Sequence, residues 1–419
     1  MSEPCASWEV IVLGAGAAGL LAATRAAELG RRVLLVEKNA RPGVKILMSG
    51  GTRCNLTHAT DARGIVEAFG AQGPFLHSAL SALGPDELVQ LVEAEGVATK
   101  IESTGKIFPV SNKATDVLRA LLNRFDRSGA KLALDEPVEA IERQDDGFRV
   151  RTRKRELVVE KVILATGGQS YPGSGTTGDG YAWARSLGHT VIPPRPALAP
   201  LTTHVEWVMQ LRGVTVPDVQ IQLLPRDQPI SMKQRPLAAR RGSLLFTHFG
   251  LSGPVAMDVS GTVTAQATGA KLDLLCDFLP TATADEIVER MRNSAAQDGK
   301  RQATSAIASE LPRRLVEALL LQSEVPGDRR LAELSRTERE ALVNAVKRQH
   351  IPISGTLGFK KAEVTAGGVA LDEVDSRTME SKIVPNLFLA GEILDLDGPI
   401  GGYNFQSAFS TGWLAGSKV

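Results

Sequence analysis

The sequence predicts an α/β fold in which a domain built on a βαβ unit is interrupted by an inserted domain. Residues 10–37 read as a strand, a tight glycine turn, an Ala-rich helix and a second strand that ends in an acid. Residues 387–392 form another apolar strand, and a Gly-rich segment leads from it into a final helix. Between about 201 and 349 the pattern changes first to short β-like runs and then to a helical stretch. A chain of 419 residues also exceeds one ordinary core, so more than one domain is expected.

The βαβ unit has the spacing of a dinucleotide-binding motif. Gly14 allows a sharp exit from the strand, Gly16 lets the backbone approach a pyrophosphate, and Gly19 lets the helix pack closely on the strand. The pyrophosphate then faces unpaired N–H groups at the helix N-terminus. Glu37, at the end of the second strand, accepts hydrogen bonds from a ribose diol. Because a carboxylate disfavours a 2′-phosphate, FAD or NAD is predicted rather than NADP.

The glycine spacing is weak evidence without its context, because the chain contains 40 glycines. A second match at Gly173, Gly175 and Gly178 lies beside Pro172 and leads to no strand that ends in an acid. This second match is therefore not predicted to be an independent nucleotide fold.

Composition excludes several classes of protein. The formal net charge of +1 gives no electrostatic reason to expect nucleic acid or an anionic membrane as a partner. The N-terminus has no basic n-region, and Arg25 interrupts the apolar run behind it, so a cytoplasmic protein without a membrane span is expected. Three cysteines at 5, 54 and 276 form no C-x-x-C pair, and six scattered histidines show no ligand spacing, so no metal site is predicted.

The predicted first domain is split by the insertion and comprises residues 1–195 and 356–419. The inserted domain spans 196–355, with a β-rich part at 201–278 and 351–355 and a helical part at 283–349. The Pro-rich segment at 193–200 marks the first boundary. Residues 157–164 are predicted as one strand, and residues 362–368 and 386–392 as buried strands of the first sheet. The last helix is predicted from about 402 to the end.

The C-terminal segment favours a flavin over a nicotinamide dinucleotide. The strand 387–392 ends in Gly391-Glu392, and nine residues later Gly401-Gly402 opens a helix. In a flavoprotein this strand end meets the ribityl chain, and the helix N-terminus faces the N1–C2=O edge of the ring, where its dipole stabilises the reduced flavin. Glycines that merely allow a helix to pack on a sheet explain the helix but not the repeated Gly-Gly at its start.

At this point the chain resembles the BaiN-like, or aminoacetone-oxidase-like, family of bacterial flavoproteins, which is related to the flavoprotein subunits of fumarate reductase and succinate dehydrogenase. The matching segments run from end to end and lie at 14–19, 45–55, 165–168, 175–180, 246–254, 364–369, 378–382, 391–392 and 401–406. The sequence departs from the family pattern at Thr52, where a third glycine is usual, and at His58, where asparagine is common. Either change is expected to affect how the loop closes over the flavin.

The resemblance implies a Rossmann-like FAD-binding domain of the glutathione reductase type, interrupted by a β-barrel-like domain with a helical subdomain. FAD is expected to be bound non-covalently, because no histidine lies in the recognised flavin motifs. The nearest histidine is His58, which follows the loop 53–55, and a covalent link through it would overturn this expectation. The residues that the resemblance assigns to the cofactor are Gly14, Gly16, Ala17, Ala18, Gly19, Glu37, Lys38, Lys45, Gly50, Gly51, Arg53, Cys54, Val138, Thr166, Gly167, Gly391, Glu392, Gly401, Gly402, Tyr403, Asn404 and Phe405.

Three side chains are candidates for proton transfer or substrate orientation, namely Tyr171, His248 and Cys54. Each has an alternative interpretation: Tyr171 as a lid contact, His248 as a hydrogen-bonded structural histidine, and Cys54 as a packed thiol. Arg53 is expected to bind the pyrophosphate rather than an anionic substrate.

The predicted function is FAD-dependent oxidation or reduction of a small or medium organic substrate. Hydride passes between the substrate and flavin N5, with the substrate held between the flavin domain and the insert. No second dinucleotide unit is visible, so NAD(P)H is expected only as a transient reductant. Family members point both to reduction of steroid-like enones and to amine oxidation. Two alternatives remain, an RNA-modifying flavoprotein and a flavin-binding sensor or assembly protein without turnover. No feature of the sequence predicts an oligomeric state.

Overall fold

The protein is described by a computed structural model over residues 8–226, 235–305 and 310–419. It divides into a first unit, Met1–Arg195 with Glu363–Val419, and a second unit, Pro196–Ala362. The chain re-enters the first unit at 363 rather than at the expected 356. The reason is that the strand Gly355–Thr356 pairs with Leu201–Thr202 and so belongs to the sheet of the second unit.

The strands in chain order are β1 Val10–Leu13, β2 Val33–Val36, β3 Thr57–His58, β4 Thr99–Ile101, β5 Lys106–Pro109, β6 Lys131–Ala133, β7 Val138–Gln144, β8 Gly147–Thr152, β9 Glu156–Val159, β10 Lys161–Leu164, β11 Val191–Ala197, β12 Leu201–Thr202, β13 Thr215–Pro225, β14 Ala238–Thr247, β15 Gly250–Ser252, β16 Leu272–Asp277, β17 Gln349–Ile353, β18 Gly355–Thr356, β19 Val364–Val369 and β20 Leu387–Leu389.

The helices are α1 Ala17–Glu28, α2 Val44–Thr52, α3 Ala62–Ala68, α4 His77–Ala82, α5 Pro85–Glu93, α6 Ala114–Ser128, α7 Asp179–Ser186, α8 Glu206–Gln210, α9 Pro254–Ala265, α10 Ala284–Gln297, α11 Arg313–Gln322, α12 Arg336–Lys347 and α13 Tyr403–Lys418. Short 3₁₀ turns lie at Gly70–Leu76, Pro172–Ser174, Ala303–Ser305, Leu331–Glu333 and Leu371–Glu373. Helix α2 is interrupted at Ser49, Gly50 and Gly51, whose backbone angles are not helical.

The core of the first unit is a five-stranded parallel sheet in the order β20-β10-β1-β2-β6. Every residue of β1, β2 and β20 is buried, as expected for parallel strands that are covered on both faces. Because all five strands run the same way, their carboxyl ends meet at one edge. The order reverses beside β1, which makes that edge a topological switch point, where α/β proteins bind ligands.

Helix α13 packs closely along α1 through small residues. A Cβ placed on Gly412 would overlap the carbonyl oxygen of Ala18, and one on Gly416 would overlap that of Ala22. These two contacts advance in the same direction along both helices, so α1 and α13 run parallel. Glycine at 412 and 416 is therefore required by the approach of the two backbones.

Two segments of the first unit differ from their prediction. Residues 157–164 form two strands, because β9 pairs with β8 in an antiparallel sheet and β10 pairs with β1 in the parallel one. Residues 362–368 do not join the first sheet, since β19 forms a separate two-stranded sheet with β11. Each segment contributes buried apolar residues, and burial alone does not specify which strand is the partner.

The second unit contains a seven-stranded sheet in the order β17-β16-β13-β14-β15-β12-β18, with antiparallel pairing throughout. A β-bulge between Val216 and Val219 interrupts the β13–β14 ladder. Helices α10 and α12 each begin with a capping box, formed by Thr283 with Glu286 and by Ser335 with Glu338. The predicted β-rich segment also contains α8 and α9, which the short apolar runs did not indicate.

Candidate functional site

The carboxyl edge of the parallel sheet collects four of the predicted cofactor residues. Gly14 follows β1, Glu37 follows β2, Thr166 follows β10 by two residues, and Gly391 follows β20 by two residues. The Thr166 hydroxyl is buried and has no hydrogen-bond partner among the described residues. A buried polar atom without a partner is costly, so this orphan at the strand end indicates a place where a ligand or water completes the site.

Glycine occupies the three motif positions for different reasons. Gly14 has φ +100°, and a Cβ there would lie 2.6 Å from the carbonyl oxygen of Ala165. A Cβ on Gly19 would overlap the carbonyl oxygen of Gly14. Gly16, by contrast, has φ −85° and nothing within 4 Å of its Cβ position. The fold itself therefore requires Gly14 and Gly19, whereas the open space at Gly16 is room for a ligand.

Helix α1 begins at this loop with its first amides uncapped. Gly16 is its N-cap, no side chain caps it, and no acid lies in its first turn. The N–H groups of Ala17, Ala18 and Gly19 thus lie at the positive end of the helix dipole and have no side-chain hydrogen-bond partner. A phosphate fits this end of the helix.

The Glu37 side chain is held by backbone hydrogen bonds, and the residue is only 8% exposed. The Ala15 N–H donates to its Oε2 at 2.8 Å, and the Asn39 N–H donates to its Oε1 at 2.9 Å. A carboxylate has about four acceptor positions, so two remain for a ribose diol. The bond to Ala15 also ties the carboxylate to the glycine loop.

Lys38 follows Glu37 at this end of the sheet. The Lys38 ammonium donates to Thr177 and Asp179, both at 2.6 Å, and so holds the segment 175–180 against the first sheet. This segment leads directly into α7, so the second glycine match belongs to the turn before α7 and not to a second βαβ unit. Val138, another residue assigned to the cofactor, is the first residue of β7.

A polar network crosses the edge from α2 to β20. The Lys45 ammonium forms an ion pair with Glu392 and donates to the Ser170 hydroxyl at 2.7 Å. The other Glu392 oxygen accepts from the Ser170 hydroxyl at 2.7 Å and from the Thr365 N–H at 2.8 Å. Glu392 is thus occupied by protein groups, while the Lys45 ammonium uses two of its three donors within this network.

The next predicted residues lie in the interrupted last part of α2 and in the loop that follows it. The Arg53 guanidinium donates to Glu102 at 2.6 Å and lies 3.9 Å from the centre of the Phe108 ring. The structure therefore pairs Arg53 with a carboxylate of the protein. Gly50 and Gly51 both have positive φ angles, of 55° and 66°, which glycine adopts at no steric cost.

Cys54 has no exposed surface in this loop. Burial raises the pKa of its thiol to about 12. A protonated thiol without solvent contact is unsuited to proton exchange with a substrate, and the interpretation of Cys54 as a packed thiol fits this geometry.

The N-terminus of α13 faces the same side of the sheet as that of α1. Gly402 is its N-cap with φ +100° and no side-chain cap. The contact between Gly412 and Ala18 sets the register of the two helices. Since α1 begins at Ala17 and α13 at Tyr403, α13 extends about 8 residues, or about 12 Å, beyond α1. The two uncapped N-termini therefore point the same way with an offset.

The residues around Gly402 are held by protein contacts. A Cβ on Gly402 would lie 2.5 Å from the backbone of Thr57, so this glycine is required by the fold itself. The Asn404 amide exchanges hydrogen bonds with the backbone of Gly398 at 2.8 and 2.9 Å. Phe405 packs against Phe409. Gly391 and Gly167 have φ +78° and +73°. Gly401, in the turn that leads into α13, has φ +137°.

The remaining proton-transfer candidates lie in different units. Tyr171 adopts a left-handed conformation with φ +57° and is half-buried in the segment after β10. His248 lies in the second unit, exposed in the turn between β14 and β15, with its ring edge-on to Phe249 at 4.9 Å. Their roles stay predictions.

Two features near the site were missed by sequence reasoning. His58 stacks on Tyr403 with ring centres 4.7 Å apart. The segment between β20 and α13 carries Asp395 and Asp397, and the Asp397 N–H donates to Gln72 Oε1 at 3.2 Å. Burial, with the charge of Asp395, raises the pKa of Asp397 to about 6. The Asp-x-Asp spacing between the two flavin motifs was the available signal.

Within the described parts of the chain, no three His, Cys, Asp or Glu side chains are grouped so that they could bind one metal ion. Among the helices described, none combines the length and apolar character needed to cross a bilayer.

Comparison with known proteins gives matches over nearly the full length. The profile of the HI0933-like protein Rossmann domain matches residues 8–418. A ribosomal RNA dihydrouridine synthase of Escherichia coli is 34% identical over 98% of both chains, and one of Haemophilus influenzae is 32% identical over 98% of both. A 3-dehydro-bile acid Δ(4,6)-reductase of Clostridium scindens is 32% identical over 97% of both chains.

Thr52 offers a test of backbone strain beside the site. It is exposed and has φ +70°, a conformation that costs an L-residue with a branched Cβ about 1–2 kcal/mol. We expect Thr52→Gly to relieve this strain and to raise the free energy of unfolding by up to about 1 kcal/mol, after the larger unfolded-state entropy of glycine is subtracted. Denaturant unfolding of the flavin-free protein measures the difference. Thr104→Gly, at an exposed position without positive φ, is expected to lower stability by about 0.5–1 kcal/mol. Equal destabilisation by both variants would contradict the strain at Thr52.

Asp397 predicts a pH dependence of stability. Its pKa is about 6 in the folded chain and 3.8 as the reference value, so the folded state binds more protons between these values and the wild type loses stability as pH rises through them. Asp397→Asn removes this loss. We expect the stability of the variant relative to the wild type to increase from pH 4 to pH 6, by at most about 3 kcal/mol at about 1.4 kcal/mol per pKa unit. Urea unfolding across this range measures it, and a constant difference would show that Asp397 titrates normally.

Proposed function

Because the chain belongs to the HI0933-like family, we propose that it is an FAD-dependent oxidoreductase that reduces a carbon–carbon double bond conjugated to a carbonyl group. The observation that carries the cofactor assignment is the open space at Gly16, inside a loop whose other two glycines are required by backbone contacts. A glycine that the fold does not need, at the N-terminus of α1, is explained by a ligand that approaches the backbone there.

The residues at the carboxyl edge fit the parts of FAD. The uncapped amides of α1 would bind the pyrophosphate, and the two free acceptor positions of Glu37 would bind the adenosine ribose. The offset N-terminus of α13 would face the flavin ring, with the ribityl chain between the two helix ends. FMN would leave Glu37 unused, so FAD is the cofactor proposed, held without a covalent bond.

The protein groups around the ring provide electrostatics and proton transfer. When bound, FAD supplies hydride at N5. The dipole of α13 stabilises negative charge at its N-terminus by about 0.3–1 kcal/mol when exposed and up to about 2 kcal/mol when partly buried. The third donor of the Lys45 ammonium remains available for a carbonyl oxygen at this edge. Tyr171 is the proposed proton donor within the first unit, and His248 is retained as a proposed substrate contact.

The proposed substrate class comes from the chemistry that the relatives' names share. A dihydrouridine synthase saturates the C5=C6 bond of uracil, and a Δ(4,6)-reductase saturates a C=C bond of a 3-oxo steroid. In both cases the double bond is conjugated to a carbonyl, which accepts the displaced electron pair when hydride adds to the far carbon. The second hydrogen then arrives as a proton. NAD(P)H is the proposed reductant, visiting transiently and leaving as NAD(P)⁺.

A uracil base within RNA is the second candidate substrate. The two dihydrouridine synthases of 34% and 32% identity favour it, whereas the net charge of +1 provides little non-specific attraction for a phosphate backbone. RNA recognition by this chain would then depend on the shape and base contacts of a specific site.

A substitution at Gly16 tests the assignment of the cofactor. Gly16→Ala adds a methyl group into open space at a normal backbone conformation, so the flavin-free protein should keep its stability. The same methyl group would occupy the space proposed for the pyrophosphate, and we expect FAD affinity to fall at least about tenfold, or about 1.4 kcal/mol. Equilibrium dialysis with FAD and FMN measures it. The matched control is Gly327→Ala, whose Cβ position is also uncrowded but lies in the second unit. Wild-type FAD affinity in Gly16→Ala would contradict the assignment.

An anaerobic turnover experiment distinguishes the two candidate substrates. Protein loaded with FAD is reduced anaerobically with NADH or NADPH and then offered either a 3-oxo-4,6-diene steroid or an unmodified ribosomal RNA transcript. Mass spectrometry should detect the gain of two hydrogens in one of them, with reoxidation of the flavin absorbance. Salt-dependent RNA binding should accompany activity on the transcript. Normal FAD content without reduction by any donor would instead favour a non-catalytic flavin sensor or assembly protein.

A further inference from the structure

The hairpin of β4 and β5 contacts the loop after α2 and the strand β3. At its turn, Glu102 accepts from Arg53, in the loop after α2. Gly105 packs against the ring of His58, because a Cβ on Gly105 would lie 2.5 Å from His58 Nε2. The Ala59 N–H also donates to the Gly105 carbonyl at 2.7 Å. The hairpin thus supports β3, where His58 lies.

The His58 ring is fixed from three sides. Its Nδ1 lies 3.1 Å from the Gly401 carbonyl oxygen, its face stacks on Tyr403 at an interplanar angle of 21°, and Gly105 closes the third side. A carbonyl oxygen only accepts, so the Nδ1 atom must carry the proton in this hydrogen bond. The geometry therefore assigns the Nδ1–H tautomer to His58.

These contacts act on the turn that begins α13. Gly401 and Gly402 have φ +137° and +100°. Because glycine has no Cβ, these two residues can also adopt many other backbone conformations. Such a turn needs an external constraint to keep one conformation. The His58 hydrogen bond restrains the Gly401 carbonyl, and the stack restrains Tyr403, the first helical residue. Together they set the direction of the first amides of α13.

We propose that His58 is a positioning residue for the flavin-facing end of α13, acting through the Nδ1–H hydrogen bond to Gly401. The inference rests on the proposed function for its effect on the flavin, but the hydrogen bond itself belongs to the flavin-free protein. Asparagine also carries an amide donor, so a His58→Asn variant can keep a hydrogen bond to Gly401 without the aromatic ring.

The tautomer is tested first, in the flavin-free protein. Long-range ¹⁵N–¹H NMR of the imidazole distinguishes the two neutral tautomers, and His58→Asn assigns the signal. The expected result is Nδ1–H. An Nε2–H tautomer would overturn the inference whatever the function of the protein is.

Four variants then separate the hydrogen bond from the stack. His58→Ala removes both, His58→Phe keeps an aromatic ring without a donor, and His58→Asn keeps a donor without the aromatic ring. His204→Ala, at an exposed position in the second unit, is the control. The readouts are the FAD dissociation constant and the midpoint potential of the bound flavin.

We expect His58→Ala and His58→Phe to bind FAD about three- to tenfold more weakly, the loss of one hydrogen bond, with a more negative potential. His58→Asn should return both values close to the wild type. If His58→Ala fails to fold, the comparison of His58→Phe with His58→Asn decides. Equal values for these two would overturn the inference while FAD binding by the wild type stands. Absence of FAD binding by the wild type would instead overturn the proposed function and leave the tautomer result intact.

Discussion

The close approach of three backbones, those of β1, α1 and α13, is the constraint on which the first unit depends. Overlap at the Cβ positions of Gly19, Gly412 and Gly416 shows that no side chain separates these elements. Because α1 contacts the backbone after β1 at Gly19 and that of α13 at Ala18 and Ala22, its start is fixed at the carboxyl edge. The parallel register of α1 and α13 then fixes where α13 begins. Two uncapped helix N-termini on one side of the sheet are thus a consequence of backbone packing.

The βαβ unit was predictable because all of its determinants are local. Strand, turn, helix and acid lie within 28 residues, and each has its own sequence signal. The resemblance to the BaiN-like family is confirmed by the matches along the chain. The strand that pairs with residues 364–369 was not predictable, because the sequence of a buried apolar strand does not specify which strand lies beside it. The prediction that placed it in the first sheet was wrong, and the pairing with β11 depends on contacts such as Gly367 against Pro193.

The candidate site was predictable as a set of positions but not as a set of interactions. Lys38, Lys45, Arg53 and Glu392 were assigned to the cofactor, and each has a protein partner that lies far away in sequence. Such pairs join segments that meet only after the sheet has formed. Their charges are therefore largely balanced within the protein. Among the described residues at this edge, the groups left for a ligand include the first amides of α1, the Thr166 hydroxyl, two acceptor positions on Glu37 and one donor on Lys45.

This distribution of free groups bears on substrate choice. Helix amides and a ribose acceptor, the groups proposed here to bind FAD, do not determine what the cofactor reduces. The relatives of this chain accordingly include proteins named as a bile acid reductase and as ribosomal RNA dihydrouridine synthases. In both of the proposed substrates a carbonyl lies next to the double bond, so the proposed reduction needs only a donor for that oxygen and a source of a proton. The size and charge of the rest of the substrate would have to be recognised by other contacts. A net charge of +1 provides little long-range attraction for RNA, so under the proposed function the choice between a steroid and RNA would depend on short-range contacts with the substrate.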